Sequence, residues 1–151
     1  MATWTEAEAH APALAAAILA RFMGHPHHVL GTLNRHGAPR LSGINVMRND
    51  EVLWFGCMPD SRKGIDIERD RRISLHSAPL LESLDGGDAV ISGVARSLVP
   101  ERVRAWRPET PENGVFYEVD ILSMHLVEVR DKDLIVTMWD KEHGVRSVNR
   151  Q

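Results

Sequence analysis

Residues 28–33, 40–47 and 52–57 form three apolar runs of strand length, joined by two short polar turns. Connections that short cannot carry a crossover helix, so the runs must pair antiparallel as a meander. Asn34-Arg35-His36-Gly37 supplies the first turn, with Gly37 suited to a left-handed backbone. Arg48-Asn49-Asp50-Glu51 supplies the second. In the first run Val29, Gly31 and Leu33 share one face. In the second the apolar phase slips, with Leu41 at an odd position and Ile44 and Val46 at even ones. The slip at Ser42-Gly43 predicts a bulge or a close backbone approach, and either would let a flat ligand lie against the main chain.

The same alternation returns over 72–77, 88–99, 115–129 and 134–139. Helices are expected over 5–23, where Thr5 and Glu8 form a capping box, and over 62–69 and 101–106. Leu14, Ala17, Ile18 and Phe22 give the first helix its apolar stripe. Loops are expected over 79–87 and 107–114, and the polar tail over 140–151 reads as a flexible end. Strands do not alternate with long helices, so the class is mainly β (α+β). We expect a six- to seven-stranded antiparallel barrel in a single domain, 1–151, with an N-terminal helix in 1–24 and short flanking helices.

Composition narrows the function. A formal net charge of −3 argues against a general nucleic-acid binder. A single cysteine, Cys57, rules out an intramolecular disulfide and fits a reducing, cytoplasmic setting. No basic leader precedes an apolar core at the start of the sequence, and no apolar run is long enough to cross a membrane, so no membrane partner is expected. His25-Pro26-His27-His28 lacks a neighbouring Cys or carboxylate, and Pro26 breaks any helical pairing. It reads as a polar loop entering a strand, and no metal is expected. His28, His36 and His76 are candidates for catalysis by residue type alone, and no catalytic side chain is assigned.

The functional signal lies in Ser61-Arg62-Lys63-Gly64. Ser61 is a good N-cap. Arg62 and Lys63 then stand at the positive end of a helix whose later residues include Glu68 and Asp70. That order opposes the helix dipole, at a cost of roughly 0.3–1 kcal/mol per charge. A bound anion reverses the sign, because it would meet free N–H groups, a hydroxyl and two cations together. The stretch therefore reads as a phosphate site.

The order of these segments resembles the pyridoxamine 5′-phosphate oxidase-like family of split β-barrels, which bind FMN or the deazaflavin coenzyme F-420. The resemblance rests on Leu30-Gly31-Thr32-Leu33, Gly37-Ala38-Pro39-Arg40, the run ending in Trp54-Phe55, Ser61-Arg62-Lys63-Gly64 and Arg71-Arg72-Ile73-Ser74-Leu75. It implies that Arg62 and Lys63, with Ser61, hold the cofactor phosphate. It implies that Arg40, Leu41, Ser42 and Gly43 line the flavin, and that Phe55 and Gly56 flank the ring or the ribityl chain. It also implies a homodimer with the cofactor at the subunit interface, where Trp106 or Trp139 would reach the partner's cofactor.

True pyridoxine phosphate oxidases close on an Arg-rich C-terminal segment that helps bind their substrate. The segment 145–151 does not match it, so that activity is not expected. The implied function is hydride or electron transfer between FMN, or alternatively coenzyme F-420, and a small-molecule substrate. A non-catalytic flavin-binding protein and a haem-binding or haem-degrading barrel are the alternatives. A polyglutamyl tail on the deazaflavin would draw on Arg69, Arg71 and Arg72.

Overall fold

The structure, a computed structural model, describes residues 1–49, 51–78 and 86–150. The expected loop over 79–87 lies mostly outside the described residues, as does Asp50 of the second turn.

The N-terminal helix is two helices. In α1 (Trp4–His10) the Thr3 hydroxyl accepts from the Glu6 N–H (3.2 Å), and the Glu6 carboxylate accepts from the Thr3 N–H (2.9 Å). The sequence offers the same box at Thr5 and Glu8. The earlier register wins because it turns Trp4 and Ala7 into the core. Pro12 ends this helix, since it has no N–H to return and its ring crowds the preceding turn. A second helix, α2 (Pro12–Met23), starts there and buries Leu14, Ala15, Ile18 and Phe22.

Among the described residues nine strands build one sheet: β1 (His28–Leu33), β2 (Pro39–Ile44), β3 (Val46–Asn49), β4 (Val52–Cys57), β5 (Arg72–His76), β6 (Asp88–Leu98), β7 (Val115–Arg130), β8 (Asp133–Asp140) and β9 (Gly144–Arg150). Every pairing is antiparallel, in the order β2-β1-β5-β6-β7-β4-β3, with β8 on β7 and β9 on β8. Two strands exceed the expected seven. One arises because the second run divides at Asn45 into β2 and β3. The other is the tail, which is folded rather than frayed. Asp140 Oδ1 accepts from the Glu142 and His143 N–H groups (3.0 and 2.8 Å), Gly144 turns at φ 67°, and β9 pairs back along β8.

The barrel is split, not closed. β6 covers one edge of β7, while the other edge is divided between β4 at 115–118 and β8 at 123–130. The ends of the sheet, β2 and β3, are consecutive in the chain, yet no ladder among the described residues joins them. The expected bulge at Ser42-Gly43 is absent. β1 and β2 pair without interruption from His28↔Ile44 to Leu33↔Pro39, and Leu41 faces outward at 75% exposure. The phase change is taken up at Asn45 instead. A register shift does occur where β6 meets β7 at Ser92/Gly93, and there a Cβ on Gly93 would collide with the Asp120 carbonyl.

The core lies between α1, α2 and the sheet and holds Trp4, Ile18, Phe22, Leu30, Phe55, Leu75 and Trp139. Burying each such side chain contributes about 1.5–3 kcal/mol. A smaller cluster outside the barrel packs α4 (Pro100–Trp106) through Val103 onto Trp54, Leu98 and Phe116. His28 joins three elements from inside. Its Nε2–H donates to Phe22 O (2.7 Å) at the end of α2, and its Nδ1 accepts from the Val46 N–H (3.1 Å) of β3. Burial, the largest effect, pushes its pKa below the usual imidazole value. No helix among the described residues is long and apolar enough to cross a membrane.

Candidate functional site

The helix expected at the Ser-Arg-Lys-Gly stretch is α3 (Arg62–Arg69). Asp60 takes a left-handed backbone (φ 58°), which an Asp tolerates, and swings the chain out of β4. The Ser61 hydroxyl accepts from the Gly64 N–H (3.3 Å) and is therefore committed to capping. Arg62 and Lys63 follow in the first turn and form no ion pair with the described residues.

Two anchors fix this turn in place. Asp66, 3% exposed, accepts from the Thr32 hydroxyl of β1 (2.9 Å) and from Arg40 Nε of β2 (2.6 Å), and it pairs with Arg69 (3.5 Å). Burial by itself would raise the pKa of Asp66. The hydrogen bonds from Arg40 and Thr32, with the charges of Arg40 and Arg69, outweigh it and lower the pKa. On the opposite side, the buried Tyr117 hydroxyl of β7 donates to Glu68 Oε1 (2.6 Å). Burial first, and Glu68 second, push the Tyr117 pKa well up, so the phenol stays a donor.

The start of α3 stands between two recesses. One is a cavity of about 590 Å³ lined by Lys63, Gly43, Gly56, Cys57, Trp54 and Phe116, together with Arg107, Glu109, Thr110 and Pro111. That volume suits a small-molecule ligand. Gly43 meets nothing within 4 Å at its missing Cβ, so a side chain there would project into open space. Gly56 is small for another reason: a Cβ would come within 2.9 Å of the Phe116 ring. The other recess, about 420 Å³, is lined by Asn34, Arg35, His36, Arg40, Arg62, Ile65, Asp66 and Arg69.

These positions sort the expected site residues. Lys63, Gly43 and Gly56 share the cavity. Arg62 and Arg40 face the cationic recess, with Arg40 Nε tied to Asp66. Ser61 caps α3, Ser42 is half-buried on the Arg40 side of β2, and Leu41 is exposed on the other. Two of the expected side chains lie in the core instead. The Phe55 side chain is fully buried against Tyr117, because alternation along β4 turns it inward. Trp139 is 1% exposed, its ring 6.3 Å from His10 of α1, so its side chain is spent on the core. Trp106 stacks on Trp54 (5.9 Å). Of the basic residues expected to serve an acidic tail, Arg72 is held by Asp70 (2.6 Å) and Arg69 by Asp66 and the Leu33 carbonyl.

Sequence reasoning did not place His27, Asn45 or Met47 on the cavity wall; Arg107, also there, belongs to the loop expected over 107–114. With its amide oriented to satisfy its neighbours, Asn45 Nδ2 donates to Pro26 O (2.9 Å) and to His27 Nδ1 (3.2 Å). Arg107 donates from Nε to Glu109 (3.1 Å) and from Nη1 to Met47 Sδ (2.9 Å), bringing a second cation to the rim. Asn45 gave no signal of its own, because the run over 40–47 read as one strand. The histidine cluster is dispersed: His28 turns inward while His27 turns to the cavity, and no three His, Cys, Asp or Glu among the described residues converge on a metal position.

No protein-family model and no curated protein matches the chain. Solved structures do match. PhzG from Burkholderia lata, in complex with tetrahydrophenazine-1-carboxylic acid, superposes with TM-score 0.64 at 18% identity, over 91% of this chain and 88% of its own. A putative pyridoxamine 5′-phosphate oxidase from Listeria innocua gives 0.61 at 16% identity, over 74% and 95%. An F-420 reductase gives 0.55 at 16%, over 70% and 94%. The fold is thus that of the pyridoxamine 5′-phosphate oxidase-like split barrels.

Proposed function

We propose that a chain with this fold and this α3 start binds a phosphate-bearing flavin, FMN or alternatively the deazaflavin coenzyme F-420, and works as an oxidoreductase on a small molecule. The observation that carries the reading is the pair Arg62–Lys63. Two adjacent cations stand unpaired among the described residues at a helix start locked from both sides, next to a 590 Å³ cavity with an open glycine floor. The residues fit the cofactor. Lys63, Arg62 and the first-turn N–H groups take the phosphate. Gly43 leaves room for a flat ring against β2, and Trp54 and Phe116 wall the cavity and shed water. Hydride chemistry belongs to the flavin; the chain holds and orients it. The neighbours named above, a putative pyridoxamine 5′-phosphate oxidase and an F-420 reductase among them, support this class of cofactor. Haem draws less support. His28, the buried histidine of the cluster, spends both ring nitrogens on backbone partners.

The reading includes a homodimer. Leu41 of β2 (75% exposed), Met58 after β4 (70%) and Ile65 of α3 (47%) are exposed apolar side chains, and a second copy covering them would complete the site. Cys57, a free thiol on the cavity wall, fits a reducing cytoplasm.

The test is titration of the protein with FMN and with F-420, following fluorescence and thermal stability. One of them binds, and Arg62→Ala with Lys63→Ala raises its Kd at least about 100-fold while leaving the melting temperature of the free protein in place. Two charge-assisted contacts at about 1.5–3 kcal/mol each account for that factor. Unchanged affinity in the double variant would refute the phosphate site, and a Soret band on addition of haem, with neither flavin binding, would replace the cofactor.

A further inference from the structure

We infer that the outer face of β6–β9 is a self-association surface, covered by a second copy of this chain at neutral pH and uncovered on acidification. An antiparallel sheet with one face on a core and the other in water places apolar residues inward and polar ones outward. The inward positions here, Ala89, Leu126 and Trp139 among them, belong to the core. The outward positions break the rule. Val127, Val136 and Val148 stand abreast on β7, β8 and β9, and Val129 and Leu134 stand abreast in the next row. Val129 is 44% exposed and Val148 42%. Single exposed valines are ordinary, but rows of them across neighbouring strands mark an interface. The same face runs on through Ser123, Ser92, Ser74 and Gly31 to Leu41 of β2, a side chain the proposed homodimer already covers.

The charges on this face identify the occupant. The row of Val127, Val136 and Val148 begins on β6 at Asp88, whose Oδ1 has no hydrogen-bond partner. It ends on β9, where Arg146 and Arg150 flank Val148 on the same side of the strand. Arg146 donates to Asp140, and Arg150 forms no ion pair with the described residues. Opposite charges at the two ends make the face complementary to itself. A two-fold axis along the strands, between β7 and β8, lays Val127 on Val136 and sets Asp88 of each copy between Arg146 and Arg150 of the other. That pairing also covers His125 of β7, which lies between Val90 of β6 and Met138 of β8. The charged and titratable groups facing its ring are Asp88 and Asp140 on the diagonals, Arg146 beyond Met138 and His76 beyond Val90. Burial, then Arg146, push the His125 pKa below the usual imidazole value, while Asp140 opposes them, so the ring covered at neutral pH is uncharged. Protonation puts a second cation near Arg146 inside the covered layer.

The inference rests on the homodimer of the proposed reading and supplies its surface and its control; no flavin enters the test, so its failure leaves the phosphate site standing. Sedimentation equilibrium of the full-length protein reads the dimer Kd at pH 7.5 and 5.5. The parent is a dimer at pH 7.5, and its Kd rises at least about tenfold at pH 5.5, because each of two imidazoles must shed a proton to be covered. Val148→Glu raises the Kd at pH 7.5 at least about 100-fold, since the new carboxylate faces Asp88 of the copy across a covered layer. Val145→Glu makes the same change on the same strand but on the opposite face, where Val145 is 51% exposed, and leaves the Kd at the parental value. It separates loss of the surface from damage to β9. His125→Gln stays dimeric at pH 5.5. A monomeric parent at pH 7.5, or equal effects of Val148→Glu and Val145→Glu, overturns the surface. Dissociation by Ile65→Glu with none by Val148→Glu also overturns it and moves the dimer contact to α3. A His125→Gln dimer that still dissociates at pH 5.5 overturns the proton control.

Discussion

Replacing Asp66 by Asn tests whether α3 is held in place by one buried carboxylate. The substitution keeps shape and one acceptor but removes the charge that faces Arg40 at 2.6 Å and Arg69 at 3.5 Å. Breaking a fully buried ion pair costs about 3–5 kcal/mol. Here the carboxylate is buried, but the Arg40 and Arg69 side chains are 35% and 37% exposed, so water can resolvate them and the cost falls. The Thr32 hydroxyl can still donate to an amide oxygen. We expect a loss of about 2 kcal/mol at pH 7, between the value of one charged hydrogen bond and that of a buried pair. Urea unfolding reads it as a lower midpoint at unchanged slope.

The acid limb of the same experiment is the sharper part. The folded pKa of Asp66 lies below its ordinary value of 3.8, so the folded protein binds that proton less readily than the unfolded chain does. Its stabilisation is complete above 3.8 and disappears as pH falls through the folded value. The gap between parent and Asp66→Asn should stay constant from pH 7 to about pH 5 and close below about pH 4. A loss under about 0.5 kcal/mol at pH 7, or a gap that widens on acidification, would refute the anchor.

His28 predicts a second pH effect of the same sign. Its pKa is lowered in the fold, chiefly by burial, so the unfolded chain protonates first as pH drops through 6.5, and stability declines from neutral pH downward. His125 contributes in the same direction, through burial and then Arg146. Melting temperatures of the parent and of His28→Gln at pH 7.5 and 5.5 check this, with a smaller drop expected in the variant. Gly43→Val should fold normally, since open space surrounds the new Cβ, but lose flavin affinity at least about tenfold, or about 1.4 kcal/mol; unchanged binding would move the ring away from β2. Trp139→Ala should cost about 3–5 kcal/mol with folded protein still binding cofactor at parental affinity, and a selective loss of affinity would return Trp139 to the site.

Part of the candidate site was legible in local chemistry. Ser61 as a cap and Arg62 and Lys63 in the first turn follow from short-range rules, and α3 begins where Ser61 put it, whereas Gly43 was singled out for a bulge that does not form and Gly56 by the family resemblance alone. The strand runs were legible for the same reason, since a period of two survives any tertiary arrangement. The break at Pro12 is equally local, but the single helix expected over 5–23 runs through it. β9 was hidden because the turn into it is made by the Asp140 side chain and the strand is exposed along its length.

The tertiary structure decided everything that depends on which faces meet. Asp66 reads as an ordinary helix-surface acid until β1 and β2 bring Thr32 and Arg40 against it, 34 and 26 residues away in sequence. Arg62 and Lys63 are neighbours in the chain, but 100° of helix rotation sends one to a cationic recess and the other to an apolar cavity. Trp54 and Trp139 are the same residue type in similar strand patterns, and only sheet packing sends one to the cavity wall and the other beneath α1. The sequence by itself determined most of the strands, the capped turn that starts α3 and the absence of a crossover topology, because these are set by residues within a few positions of one another. Which cations face the same space was left to the fold, because that is set by the pairing of strands far apart in sequence.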